Sequence, residues 1–115
     1  MASGTYNITI EQGATFTKTL IYRDLNGAPI DLTDVSEARA QMRATIASVT
    51  AEDFTVTVDA DPTSGKLHWS MDATTTATLT APSTQYYDLE IEFDSGVVKR
   101  LLQGTVTVSP EVTRT

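Results

Sequence analysis

The chain has no cysteine, one histidine and only eight basic residues among 115. Each scarcity closes off a class of function. Without cysteine there is no disulfide framework, no thiolate metal site and no thiol nucleophile. The lone imidazole, His68, cannot build a multi-histidine metal centre; at an outward strand position it reads as a solvated or cross-strand histidine rather than a base. Fifteen acidic residues give a net charge of −7, which disfavours nucleic acid and anionic membranes, because phosphates call for a basic face. No apolar run approaches the ~18 residues of a membrane span. Met1-Ala2-Ser3-Gly4 lacks the basic-then-apolar pattern of a signal peptide, and with the missing cysteines this leads us to expect assembly in a reducing cytoplasm. No serine sits in a Gly-x-Ser-x-Gly elbow and no Gly-rich phosphate loop is present.

What is present is alternation. Apolar residues make up 40% of the chain, enough for one two-layer core in a single domain spanning residues 1–115. Tyr6, Ile8 and Ile10 share one parity and stop at Gly13; Phe16, Leu20 and Tyr22 share another, with Lys18 the exception. Asn26-Gly27 suits a turn with positive φ, and Ile30–Thr33 reads as a short edge piece. Phe54, Val56 and Val58 alternate with threonines, Asp59–Gly65 makes a turn, and Leu67, Trp69 and Met71 form the next strand. Asp72 is placed to N-cap a helical turn through Ala73–Leu79, which Pro82 ends. Tyr87–Phe93, Asp94-Ser95-Gly96 and the run to Pro110 spell a β-hairpin. The result is an all-β, immunoglobulin-like antiparallel β-sandwich of about seven strands, with a short helical turn near residues 73–79. Tyr86-Tyr87, following the crossing segment Leu79–Pro82, fits a tyrosine corner that pins the crossing by a bond to upstream backbone.

Residues 35–49 carry two patterns. Ala38, Ala40, Met42, Ala44 and Ile46 alternate as in a strand, yet Val35, Ala38, Met42, Ile46 and Val49 fall at helical spacing among good helix formers.

The chemistry-bearing candidates are few. Asp88, Glu90, Glu92 and Asp94 stand about 7 Å apart along one strand face, a spacing compatible with paired-carboxylate chemistry. A solvated sheet face, however, offers neither a cleft nor a raised pKa. A ladder paired with Lys99 and Arg100 across the hairpin is the simpler reading. Asp59-Ala60-Asp61 lacks the further oxygen ligands of a calcium loop. Asn7-Ile8-Thr9 matches a glycosylation triplet inside a strand. Trp69 belongs in the core before it belongs in a sugar platform. No catalytic residue, metal ligand or cofactor is expected.

Certain stretches bring a family into view. Ile10-Glu11-Gln12-Gly13-Ala14-Thr15-Phe16, followed by Asn26-Gly27-Ala28-Pro29-Ile30-Asp31-Leu32-Thr33, resembles the start of small tailed-bacteriophage virion β-sandwich proteins. Tyr87–Ile91 and Leu101–Arg114 resemble the end of the same group. The order of elements is similar to the N-terminal domain of phage baseplate upper proteins and to tail-fibre attachment domains. The resemblance implies a strand at Ala38–Ile46, although the alanine-rich run departs from the pattern. It further implies a non-enzymatic structural component of the virion, assembled in the bacterial host cytoplasm. Such a protein docks in the tail, baseplate or collar region as an adaptor or stabilising ring protein, or decorates the capsid. Its partners would be other phage structural proteins and copies of itself in a symmetric homo-oligomer, with no nucleic acid or membrane. The expected contact residues are Ala2, Ser3, Gly4, Thr5 and Tyr6 at one end and Ser109, Pro110, Glu111, Val112, Thr113, Arg114 and Thr115 at the other. A carbohydrate-binding module, stacking sugar on exposed Tyr86 or Trp69, is the reading from a different class.

Overall fold

The computed structural model describes residues 4–112, so the expected contacts Ala2, Ser3, Thr113, Arg114 and Thr115 lie outside the described residues. The strands are β1 (Gly4–Thr5), β2 (Ile8–Glu11), β3 (Phe16–Ile21), β4 (Val35–Arg43), β5 (Glu52–Val58), β6 (Lys66–Met71), β7 (Ser83–Phe93) and β8 (Val98–Ser109). A four-residue helix, α1 (Ala73–Thr76), lies between β6 and β7. The order β1-β8-β7-β4-β5-β6-β3, with β2 continuing β1 along β8, gives seven strand positions among the described residues. β5 joins the two layers: Glu52–Phe54 pair with β4, and Thr55–Val58 pair with β6. The chain is therefore the expected immunoglobulin-like sandwich, with one departure: β1 and β2 run parallel to β8.

The inner faces close on an aromatic cluster. Trp69 of β6, 1% exposed, stacks on Tyr87 of β7 at 5.4 Å and 24°. Phe16 and Phe54 meet it edge-on, each at 5.4 Å. With no disulfide to join the layers, these four rings do so, each pair adding about 0.5–1.5 kcal/mol beyond its burial. Ile10, Leu67, Leu89, Ile91, Val106 and Val108 fill the remaining space with no exposed surface.

The two-pattern segment is a strand, but it lies three residues earlier than Ala38–Ile46, running from Val35 to Arg43. Ala40 and Met42 are buried while β5 and β7 flank β4 on either side; pairing on both edges outweighs the helical preference of Ala, Gln and Met. Beyond Arg43 the chain turns, with Ser48 N donating to Thr45 O and Arg43 Nη1 donating to Ser48 O at 2.6 Å. Ile46 is left 82% exposed. The edge piece Ile30–Thr33 is not a strand. It is an irregular plug whose Leu32 is buried and whose Leu32 N donates to Pro62 O. The capped turn forms where expected: Thr75 N donates to Asp72 Oδ1 at 2.8 Å, and bonding to Thr75 holds the Asp72 carboxyl below its ordinary pKa.

Tyr87 is pinned to another partner than a tyrosine corner requires. Its hydroxyl donates to Tyr6 O, 81 residues upstream, instead of to the neighbouring crossing segment. It thereby fastens the N-terminal strand at the break between β1 and β2. Burial, with Tyr6 nearby, raises this phenol to about 12.

Candidate functional site

Period-two geometry builds a polar outer face on the β4–β7–β8 sheet. β4 presents Arg39, Gln41 and Arg43, and β7 presents Tyr86, Asp88, Glu90 and Glu92. Register aligns them in rungs: Arg43–Tyr86–Thr105, Gln41–Asp88–Gln103 and Arg39–Glu90–Arg100. The third rung depends on a bulge. β8 slips by one residue between Leu102 and Arg100, so Leu101 turns into the core while Arg100 stays on the outer face.

The upper two rungs, with Glu90 and Arg100 of the third, line a groove of about 580 Å³. Ile46, from the turn after β4, stands on one side, and Thr5 of β1 and Asn7 of the β1–β2 break stand on the other. Tyr86 is 42% exposed in this groove. Arg100 Nη1 donates to Gln103 Oε1 at 3.2 Å, and its Nε lies 3.4 Å from Asp88 Oδ2. Arg43 Nη2 donates to Gln41 Oε1 at 3.1 Å, and Gln41 Nε2 donates to Asp53 Oδ1 at 2.8 Å.

The acidic row is paired, though by a cation that the hairpin pattern does not single out. Arg39 of β4 donates from Nε to Glu90 at 2.6 Å, and its Nη1 lies 3.3 Å from Glu92 and 3.2 Å from Glu37. The hydrogen bond to Glu90 is the chief reason its pKa is raised, with desolvation opposing and Glu92 and Glu37 adding. Across the hairpin Arg100 pairs with Asp88, whereas Lys99 stands opposite Ile91. Asp94 leaves the row: it lies in the turn, its N–H donating to Asp34 O.

His68 is more connected than a solvated imidazole. Its Nε2 lies 2.6 Å from Asp59 Oδ1, and its Nδ1 lies 3.1 Å from Thr19 Oγ1. The order carboxylate–imidazole–hydroxyl is that of a nucleophile triad. Yet Thr19 is exposed in the middle of β3, outside the groove across β4, β7 and β8. The arrangement serves as a cross-strand polar tie. Its bond to Asp59, with a second from Asp61 N, lowers the Asp59 pKa. Asp61 spends its carboxylate capping Thr63 N at 3.1 Å, so the two aspartates do not converge on a cation. The described residues contain no cluster of three or more metal-ligating side chains.

The expected contact segments sit at opposite poles of one edge. Gly4 and Thr5 pair with Leu102 and Gln103, and Tyr6 N donates to Gln103 O. At the other pole Gln12 N donates to Ser109 O and Glu111 N donates to Gln12 Oε1 at 3.0 Å. Beyond this anchor Val112 is 94% exposed. The glycosylation triplet is engaged within the fold, since Asn7 Oδ1 accepts from Thr105 N at 3.0 Å.

Three residues that hold these poles escape the sequence pattern. Gly104 faces the β1–β2 break so closely that a Cβ would collide with the Tyr6 carbonyl and lie 2.9 Å from Asn7 Oδ1. Gln12 bridges Glu111 N and Leu79 O. Thr76, fully buried on α1, donates to Ala14 O at 2.9 Å and accepts from Gly13 N at 3.1 Å. A threonine in a run of threonines carries no local signal of such a role; its partners are more than 60 positions away.

Neither a family model nor a curated protein matches the chain. Among solved structures it is similar to a chicken TCR crystal structure, with a TM-score of 0.53 at 8% identity over 98% of this chain. The chain spans 56% of that protein's length. The likeness is one of fold.

Proposed function

We propose that the chain is a non-enzymatic structural module of a tailed-bacteriophage virion, joining neighbouring subunits of the tail, baseplate or collar in a symmetric assembly. The observation that carries this reading is the parallel pairing of β1 and β2 with β8. Because of it, the chain enters the domain beside Leu102 and leaves beside Glu11, poles separated by roughly seven strand residues, or about 23 Å. A module whose two ends leave one edge in opposite directions is suited to bridging neighbours on either side. The resemblance of Ile10–Phe16 and Leu101–Arg114 to phage virion proteins supports the same reading. So does the guarded opposite edge: Lys18 on β3 shares the parity of core-facing Phe16, a placement that discourages strand addition there.

The test is gold labelling of purified particles from the phage that encodes the chain, with a variant lacking residues 112–115, beyond the Gln12 anchor, as comparison. Label at the tail or baseplate, lost in the variant while its fold persists, is the expected result. Label confined to the head favours capsid decoration, and absence from particles overturns the proposal.

A further inference from the structure

We propose that the groove across β4, β7 and β8 binds a neutral oligosaccharide, with Tyr86 as its stacking platform. This goes beyond a structural role: the groove is bordered on one side by Thr5 and Asn7 of the N-terminal edge, but its ring and polar rung belong to the outer face of β4, β7 and β8. A pyranose has an apolar face of C–H bonds and a rim of hydroxyls. Its receptor therefore needs an exposed aromatic ring flanked by hydrogen-bonding groups of both kinds.

Of the two platforms expected, Trp69 is withdrawn into the core and Tyr86 remains half-exposed in the groove. The next rung, about 7 Å further along the strands, sets Gln41, Asp88 and Gln103 side by side. Arg100 holds one oxygen each of Gln103 and Asp88, which fixes both side chains and leaves the Gln103 amide N–H groups and the second Asp88 oxygen available. Donors and acceptors thus stand adjacent beside the ring, already ordered, which reduces the entropy lost on binding.

Charge selects the ligand class. The chain carries −7, yet within the groove Arg43 and Arg100 stand against Asp88 and Glu90. An anionic ligand meets two carboxylates, and a cationic one meets two guanidinium groups. A neutral ligand meets a balanced set of dipoles. A volume of about 580 Å³ lies within the range of small-ligand sites.

The experiment is a glycan array carrying neutral and acidic oligosaccharides, with cellohexaose, maltohexaose and chitohexaose among the neutral set. A ¹H–¹⁵N titration with the strongest neutral ligand follows. Shifts are expected at Tyr86, Asp88 and Gln103. Tyr86→Ala should weaken binding about tenfold or more, and Tyr86→Phe should stay within about threefold because the ring is kept. Both variants should keep the wild-type spectrum elsewhere. No neutral glycan bound at millimolar concentration, binding restricted to acidic glycans, or unchanged affinity in Tyr86→Ala each overturns the proposal. Virion incorporation of Tyr86→Ala, measured in parallel, separates this outcome from the fate of the structural role.

Discussion

Gly104→Ala is the most incisive perturbation available, because it adds one methyl group at the point where the first and last strands nearly touch. Gly104 has no positive φ among the glycines that do, so alanine is conformationally admissible and the effect is steric. The new Cβ would overlap the Tyr6 carbonyl and lie 2.8 Å from Tyr6 C and 2.9 Å from Asn7 Oδ1. Relief requires the β1–β2 break to move outward by roughly 1 Å, beyond normal hydrogen-bond reach. That strains three bonds: Tyr6 N to Gln103 O, Thr105 N to Asn7 Oδ1, and the Tyr87 hydroxyl to Tyr6 O. At about 1 kcal/mol net each, with the Tyr87 hydroxyl left unpaired, the loss is roughly 3–4 kcal/mol. Reduced freedom of the unfolded chain returns about 0.4–1 kcal/mol. The expected destabilisation is about 2–4 kcal/mol in urea unfolding, or roughly 10 °C in Tm. Gly4→Ala, whose Cβ would find ordinary contacts at 3.5 Å or more, should be nearly neutral. Removing residues 1–7 from both backgrounds completes a double-mutant cycle: the Gly104→Ala penalty should vanish with its collision partner. A Gly104→Ala protein within 0.5 kcal/mol of wild type, or a penalty that survives the truncation, would refute the close approach.

Thr76→Val, isosteric but without the hydroxyl, should cost about 1–3 kcal/mol by leaving Gly13 N–H and Ala14 O unpaired, with Thr76→Ser recovering most of it; urea midpoints decide. The Tyr87 phenol, about 10 when unfolded, is raised to about 12 in the fold. Its stabilisation is therefore complete below pH 10 and fades as pH climbs towards 12. The loss is of the order of 2–3 kcal/mol, and a pH series of unfolding curves should show it in wild type and not in Tyr87→Phe. Arg39→Met strips the shared cation from Glu37, Glu90 and Glu92; the variant should be less stable at low ionic strength and regain ground in 1 M salt, where like charges are screened.

The strands announced themselves because a half-buried sheet writes its two faces as alternation. Phe54, Val56 and Val58, or Leu67, Trp69 and Met71, needed no partner to be read. The helical turn was equally local, resting on Asp72 and its own third neighbour. What stayed hidden was decided between distant positions. Whether β4 continued to Ile46 depended on where β5 ceased to flank it. The parallel pairing of β1 and β2, the partner of Tyr87 and the need for glycine at 104 are contacts across 80 to 100 residues. Nothing local marks Arg39 as the cation of the acidic row: the hairpin pattern points to Lys99 and Arg100, while the other neighbour of β7 lies far upstream. The groove is half legible in the sequence: an aromatic at Tyr86, next to the core-facing Tyr87, reads as an exposed platform, but its companions come together only through the register of three strands.

The pairing of β2 with β8 also orders events in time. On the ribosome, β2 emerges roughly a hundred residues before its partner, an interval of about 5–20 s at ordinary rates of synthesis. Until then Ile8 and Ile10 have no place to bury their side chains, and β3 through β7 can assemble only an open trough. The last strand made is the one that lets the first be laid down. A nascent chain halted before Val106 should therefore be bound by chaperones and cut by proteases. Once Ser109 clears the exit tunnel, it should close with a slowness typical of folds dominated by distant contacts.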